Sequence, residues 1–97
     1  MSRYKIVFLP GVVERDFPEI PQNLQKRILD AIENRLTIAP DQYGMRLRQS
    51  LSGLWRLRVG DYRIAYEIKG FTVHIWAVVY RKEAYEKIAK HWARRPG

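Results

Sequence analysis

Apolar and basic side chains alternate along residues 55–59, with the sequence Trp-Arg-Leu-Arg-Val. This period of two is typical of a half-buried β-strand, because successive side chains of a strand point to opposite faces of the sheet. The three apolar residues are therefore expected on one face and Arg56 and Arg58 on the other. The following Gly60-Asp61 predicts a two-residue hairpin turn, since glycine tolerates the positive φ that such turns require.

Two further strands are expected to complete a meander after this turn. Residues 62–69 read as the return strand, which brings Arg63 close to the turn, and Lys69-Gly70 as the next turn. Residues 72–80 are β-branched, aromatic and uncharged apart from a neutral histidine. That composition favours a central strand covered on both faces.

The rest of the chain predicts one further strand and three helical segments. Residues 4–9 read as a strand and 12–17 as a short helix. Two prolines then break the chain before a longer amphipathic helix that starts at Gln22 and ends before Ala39-Pro40. Residues 41–52 are interpreted as irregular. A final helix carries an apolar stripe at i, i+3, i+4 and i+7, formed by Tyr85, Ile88, Ala89 and Trp92.

These elements predict a single α+β domain over residues 1–97. The expected order is β-α-α-β-β-β-α, in an antiparallel-rich four-stranded sheet with an N-terminal helical hairpin and a short C-terminal helix. The helices are expected mostly on one side of the sheet. The chain has no cysteine, so it has no disulfide framework and no thiolate metal site. No run approaches the length of a membrane span, and we expect a soluble, cytoplasmic protein that does not bind membranes.

The net charge of +8 is concentrated in the second half of the chain. Residues 1–45 hold six basic and six acidic side chains, whereas residues 46–69 and residues 81–97 each hold six basic and two acidic ones. A one-sided basic surface attracts polyanions. On charge alone, nucleic acid and an acidic protein are equally good candidates for the partner.

The alternating arginines suggest a chemistry. Cleavage of RNA by its own 2′-hydroxyl passes through a phosphorane with extra negative charge, which fixed guanidinium groups can stabilise. Arg56, Arg58, Arg63 and Arg81, together with the phenol of Tyr85, could converge on one concave surface. Such cations would be expected to lower the pKa of Tyr85 and make it a better base.

Other interpretations of the same residues remain open. Arg56 and Arg58 could be the solvated face of a strand, and Arg63 could pair with Glu67. Tyr85 could be a packed aromatic residue or a proton carrier assisted by Glu67 or Glu83. Neither histidine is expected to help: His74 has opposite strand parity to Arg81, and His91 lies far along the last helix.

The segments from Gly53 to Ile68 and from His74 to Tyr85 together resemble the RelE/ParE superfamily of toxins, in particular its RelE branch, and the resemblance extends over essentially the whole chain. It implies a toxin of a type II toxin–antitoxin system that acts as a metal-independent, cofactor-free endoribonuclease. Such mRNA interferases enter the ribosomal A site, cut the bound codon by 2′-hydroxyl attack and inhibit translation. By position, the catalytic residues of the family fall on Arg56, Arg58, Arg63, Arg81 and Tyr85.

The resemblance also implies roles and partners. Arg56 and Arg58 would hold phosphates, Arg63 would grip the scissile phosphate, Arg81 would neutralise or protonate the leaving 5′-oxygen, and Tyr85 would orient or deprotonate the 2′-hydroxyl or stack on a base. Further RNA-binding candidates are Arg46, Arg48 and Lys82. The expected partners are an acidic antitoxin, the ribosome with its mRNA, and operator DNA bound through the antitoxin complex.

Two rival functions share this fold. One is a ParE-like poison of DNA gyrase that leaves RNA intact. The other is a non-catalytic module that binds nucleic acid or an antitoxin.

Overall fold

The computed structural model describes residues 3–81 and 85–94, without the side chains of Lys87 and His91. Its centre is a mixed five-stranded sheet with the order β1-β5-β4-β3-β2. The strands are β1 (Lys5–Phe8), β2 (Met45–Arg46), β3 (Trp55–Val59), β4 (Tyr62–Lys69) and β5 (Thr72–Tyr80). β1 pairs parallel to β5, and every other pair is antiparallel.

The hairpin between β3 and β4 has the predicted register. Val59 pairs with Tyr62 across a two-residue turn, and Gly60 takes a φ of +60°. Glycine with positive φ at the first central position matches the twist of the flanking strands. The turn therefore fixes Arg58 directly opposite Arg63.

The pairing of β4 with β5 contains a bulge. Ala65 pairs with Ala77 and Tyr66 with Ile75, so Trp76 is an extra residue on β5. A bulge reverses the alternation of side chains beyond it. Consequently Trp76 and Ala77 both pack in the same small core beneath the last helix.

Helices cover both faces of the sheet. On the first face α1 (Gln22–Ala31), continued by a wider turn over Ile32–Leu36, buries its apolar stripe against β3, β4 and β5. The sequence pattern placed the start of this helix correctly at Gln22. On the second face α3 (Tyr85–Ala93) buries Ile88 and Trp92. We call these the α1 face and the α3 face.

The α3 face has a compact core of small and aromatic residues. Its buried members are Leu54, Ala65, Ala77, Ile88 and Trp92. The Trp92 indole donates a hydrogen bond to the Ser52 carbonyl at 3.0 Å, and its ring packs edge-to-face on Trp76 at 4.9 Å. These contacts fix α3, and with it Tyr85, over the strands that carry the arginines.

Three expectations about the fold were wrong in detail. The sheet has five strands rather than four, because the two-residue β2 pairs with β3. Residues 41–52 are also not irregular throughout: α2 (Pro40–Tyr43), β2 and a short turn over Gln49–Leu51 lie in or overlap this region. The first member of the helical hairpin is reduced to single turns over Val12–Asp16 and Phe17–Glu19. Among the residues that the structure describes, no helix is long and apolar enough to cross a membrane.

Candidate functional site: an arginine–tyrosine cluster

Arg56, Arg63 and Tyr85 come together on the α3 face. Arg56 lies on β3 and Arg63 on β4, and both belong to the set of strand positions that faces α3. Tyr85 is the first residue of α3 and packs at the edge of its core. All three side chains are half-buried, and both guanidinium groups act electrostatically on the tyrosine hydroxyl. We call this group the arginine–tyrosine cluster.

Arg58 borders the cluster without joining it. It lies on the same strand face, directly opposite Arg63, because alternate residues of β3 face α3. Its side chain is exposed, and its Nε donates to the Gly60 carbonyl at 3.1 Å. Arg58 therefore adds positive charge at the rim, where a flexible polyanion would first meet the surface.

The pKa of Tyr85 moves in the direction opposite to the expectation. Burial raises the pKa of Tyr85 above its ordinary value. The charge of Arg56, a poorly aligned hydrogen bond from its side chain and then the charge of Arg63 lower this pKa by less than burial raises it. Burial penalises the phenolate because the charged form loses its hydration. Tyr85 is consequently a neutral phenol at physiological pH, and it can orient or donate to a substrate oxygen.

Arg63 has unused hydrogen-bonding capacity. Its Nε and Nη1 are buried and have no hydrogen-bond partner among the described residues, and the Tyr85 hydroxyl has no well-aligned partner there either. The suggested pairing of Arg63 with Glu67 is not formed. Glu67 instead accepts from the Trp76 indole at 3.3 Å and lies 3.9 Å from the Lys69 ammonium. Arg63 thus presents donors that a phosphate could accept.

Within the described part of the chain, no carboxylate forms an ion pair with an arginine of the cluster. The ion pair found among these residues joins Lys69 and Glu67. That pair lies further along β4, four residues beyond Arg63. The positive charge of Arg56 and Arg63 is therefore available to an external anion. Two cations held close together without a counter-ion cost stability, which a bound phosphate would recover.

Arg81 lies apart from the cluster. It follows β5 in a left-handed conformation with a φ of +66°, and its amide donates to the Asp61 carbonyl at 3.0 Å. Its guanidinium lies 4.8 Å from the ring centre of Tyr80, which packs against Tyr62 on the α1 face. The expectation of four converging cations is therefore not met, since the positive φ turns Arg81 out of the alternation of the strand.

The RNA-binding candidates outside the cluster are also dispersed. Arg46 pairs with Trp55, so it faces the α1 side, and its guanidinium lies 5.0 Å from the centre of the Trp55 ring. Arg48 is exposed in the loop that follows. Lys82 lies outside the described residues, as does Glu83, the second acidic candidate to assist proton transfer by Tyr85.

The opposite strand parity expected for His74 and Arg81 does not apply, because Arg81 lies beyond the end of β5. His74 belongs to the α3 face, whereas the bulge at Trp76 leaves the strand end, Tyr80, on the α1 face opposite Tyr62. His74 pairs with Glu67, far along the sheet from Arg63, and its Nδ1 has no partner among the described residues. It remains outside the cluster for reasons of distance.

Sequence reasoning missed Met45 and Gly44, which border the cluster. Met45 lies opposite Arg56, and its sulfur is 3.4 Å from Arg56 Nη2. Gly44 packs so closely on Tyr66 that an added Cβ would overlap the tyrosine hydroxyl oxygen. A two-residue strand carries no detectable period, so no sequence signal could have found them. Within the described residues, no group of histidine and acidic side chains could hold a metal ion.

Comparison with known proteins identifies relatives over most of the chain. Residues 7–85 match the family described as "ParE toxin of type II toxin-antitoxin system, parDE". The toxin RelE3 of Methanocaldococcus jannaschii is 27% identical over 85 residues, which cover 84% of this chain and 96% of that protein.

Solved structures of toxin–antitoxin complexes share the fold. The RelBE2 complex of Mycobacterium tuberculosis has a chain with a TM-score of 0.77 and 29% identity, covering 84% of this chain and 94% of that one. A chain of the RelB–RelE complex of Methanococcus jannaschii has a TM-score of 0.61 and 25% identity, and the match covers 84% of this chain and 96% of that one. A YoeB–YefM complex of Staphylococcus aureus gives a TM-score of 0.57 at 21% identity and covers 84% and 100%, which shows the shared fold alone.

Proposed function

Because the chain belongs to the RelE/ParE superfamily of type II toxin–antitoxin toxins, we propose that it is a ribosome-dependent mRNA interferase. It would cut the codon in the ribosomal A site by attack of the 2′-hydroxyl on the neighbouring phosphate, and so stop translation. The observation that supports this proposal most directly is the arginine–tyrosine cluster. Its two guanidinium groups are half-buried, lie beside a phenol and have no neutralising carboxylate among the described residues.

The cluster suits the charge that develops during cleavage. The phosphorane carries more negative charge than the phosphodiester, so cations that are already in place stabilise the transition state more than the ground state. Arg63, with Nε and Nη1 unpartnered, would bind the scissile phosphate. Arg56 would hold the same or the adjacent phosphate, and Arg58 at the rim would guide the RNA backbone.

The raised pKa of Tyr85 defines its role in this scheme. A phenol that stays protonated at neutral pH is a poor general base, but it can donate a hydrogen bond to an oxygen of the reacting phosphate or orient the 2′-hydroxyl. Arg81 remains the candidate that neutralises the leaving 5′-oxygen. That role requires its guanidinium to leave the Tyr80 ring when RNA binds.

The proposal can be tested on ribosomes programmed with a defined mRNA, with the new mRNA ends mapped after incubation. The wild type should cut within the A-site codon. Arg63→Ala and Tyr85→Phe should each slow cleavage by about 10²–10³-fold, by analogy with the removal of one oxyanion-hole donor. Arg27→Ala, which removes an exposed arginine from α1, is the matched control and should cut normally.

Two other results would contradict the proposal. Intact mRNA together with inhibited DNA supercoiling would indicate a gyrase poison. Intact mRNA and unaffected gyrase would indicate a non-catalytic binding module. Normal cleavage by Arg63→Ala would leave the interferase activity in place but remove the cluster as its site.

We also propose an acidic antitoxin as the partner of this cytoplasmic toxin. The similar RelBE2 and RelB–RelE structures, both with at least 25% identity, are toxin–antitoxin complexes, and the unneutralised charge of the cluster favours an acidic chain. The complex would bind operator DNA through the antitoxin. Co-expression with a short acidic reading frame from the neighbouring gene should restore growth and yield a co-purifying complex. Failure of that frame to bind the toxin would exclude it as the antitoxin.

A further inference from the structure

Met45 is an exposed apolar side chain at the border of the arginine–tyrosine cluster. It lies on β2 directly opposite Arg56, and 62% of its surface is accessible to solvent. Its sulfur accepts a weak hydrogen bond from Arg56 Nη2 at 3.4 Å. One end of the side chain is thus held beside a cation of the cluster while most of its surface remains open.

The local backbone fixes Met45 in this place. Gly44, the preceding residue, packs against the buried Tyr66 hydroxyl and the backbone carbonyl of Arg56, where a side chain would not fit. Tyr66 in turn donates to the Pro40 carbonyl at 2.7 Å. Since alternate residues of β2 point to opposite faces, this path sends Met45 to the α3 face and Arg46 to the α1 face.

An apolar side chain in this position has a chemical use that the arginines lack. A guanidinium group that is engaged with phosphate is not free to stack on the nucleobase that the phosphate carries, so another side chain has to supply that contact. A thioether is polarisable and packs well against the faces and edges of aromatic rings. Every nucleobase has such a face, so a methionine next to a phosphate-binding arginine suits a nucleotide better than a bare phosphate.

We infer that Met45 contacts the base or ribose of the nucleotide whose phosphate Arg56 binds. This inference rests on the proposed function and extends the RNA-binding surface from the cluster across β3 to β2. It assigns Met45 a part in substrate affinity, and it leaves the chemical step to the cluster.

The test compares Met45→Ala and Met45→Leu with the wild type. One measurement is the Kd for ribosomes that carry a non-cleavable 2′-deoxy codon in the A site, and the other is kcat and KM on a cleavable codon. Met45→Ala should raise both Kd and KM by about 2- to 10-fold, because alanine lacks the apolar contact that the longer side chain makes with the nucleotide. The kcat should stay within about twofold of the wild-type value, because the cluster is intact.

Two variants serve as controls. Met45→Leu keeps the apolar volume and should retain most of the affinity. Phe71→Ala removes a side chain of the same exposure, 62%, from the opposite end of the sheet, and it should leave Kd, KM and kcat unchanged. An unchanged Kd for Met45→Ala would overturn the inference. Equal losses in the alanine and leucine variants would also overturn it, because the sulfur contact to Arg56 would then be what matters.

These results separate the inference from the proposed function. If the wild type cuts mRNA and Met45→Ala binds as tightly, only the inference about Met45 fails. If the wild type neither binds nor cuts on programmed ribosomes, the proposed function fails and the inference fails with it.

Discussion

Replacing Arg63 by methionine should stabilise the folded protein while it removes activity. The side chain is half-buried, its Nε and Nη1 lack partners among the described residues, and Arg58 lies directly across the strand pair. A binding site that is complementary to a phosphate is strained when the phosphate is absent, because buried donors and like charges are left without compensation. Methionine keeps the length of the aliphatic stem and removes the charge and the donors.

The magnitude follows from these contacts. Each buried donor without a partner costs about 1–3 kcal/mol, and like charges directly opposite on a sheet cost roughly 0.2–1 kcal/mol. Water in the half-open site bonds to some of these donors and reduces their cost. We therefore expect Arg63→Met to raise the free energy of unfolding by about 1–2 kcal/mol. For a domain of this size, each kcal/mol corresponds to about 4–8 °C in Tm.

Urea denaturation followed by circular dichroism measures the change, and Arg58→Met is the matched control. Arg58 is exposed and bonds to the Gly60 carbonyl, so its replacement relieves only the like-charge contact and should change stability by less than about 0.5 kcal/mol. Destabilisation by Arg63→Met, or equal effects of the two variants, would refute the view that Arg63 is a strained phosphate-binding group.

Two further predictions concern the support of the cluster. Gly44→Ala should destabilise the protein by about 1–3 kcal/mol, because its Cβ would meet the buried Tyr66 hydroxyl and the Arg56 backbone; normal stability in thermal denaturation would contradict this packing. Stability should also fall above about pH 10, the unfolded pKa of tyrosine. Burial raises the pKa of Tyr66 and of Tyr85 in the folded state, so each group contributes stability below that pH and loses it as the pH rises towards the folded value. In urea titrations, Tyr66→Phe should weaken this dependence, whereas Tyr43→Phe, at an exposed position, should leave it unchanged.

The sequence determined the elements whose side chains repeat. Five alternating residues defined β3 and placed Arg56 and Arg58 on one face, and the period of α1 gave its first residue. The glycine turn then set Arg63 opposite Arg58. These features are local. In a strand or helix of sufficient length, the spacing of the apolar residues shows which face is buried.

Tertiary structure decided where the faces of different elements meet. The two-residue β2 has no period, and the bulge at Trp76 is visible only in the pairing of β5 with β4. The same periodicity that predicted the last helix could not tell which side of the sheet it covers, and that choice brings Tyr85 to Arg56 and Arg63. The pKa of Tyr85 depends on a balance between burial and charge. Such a balance exists only once residues distant in the chain are packed together, since both effects act through space.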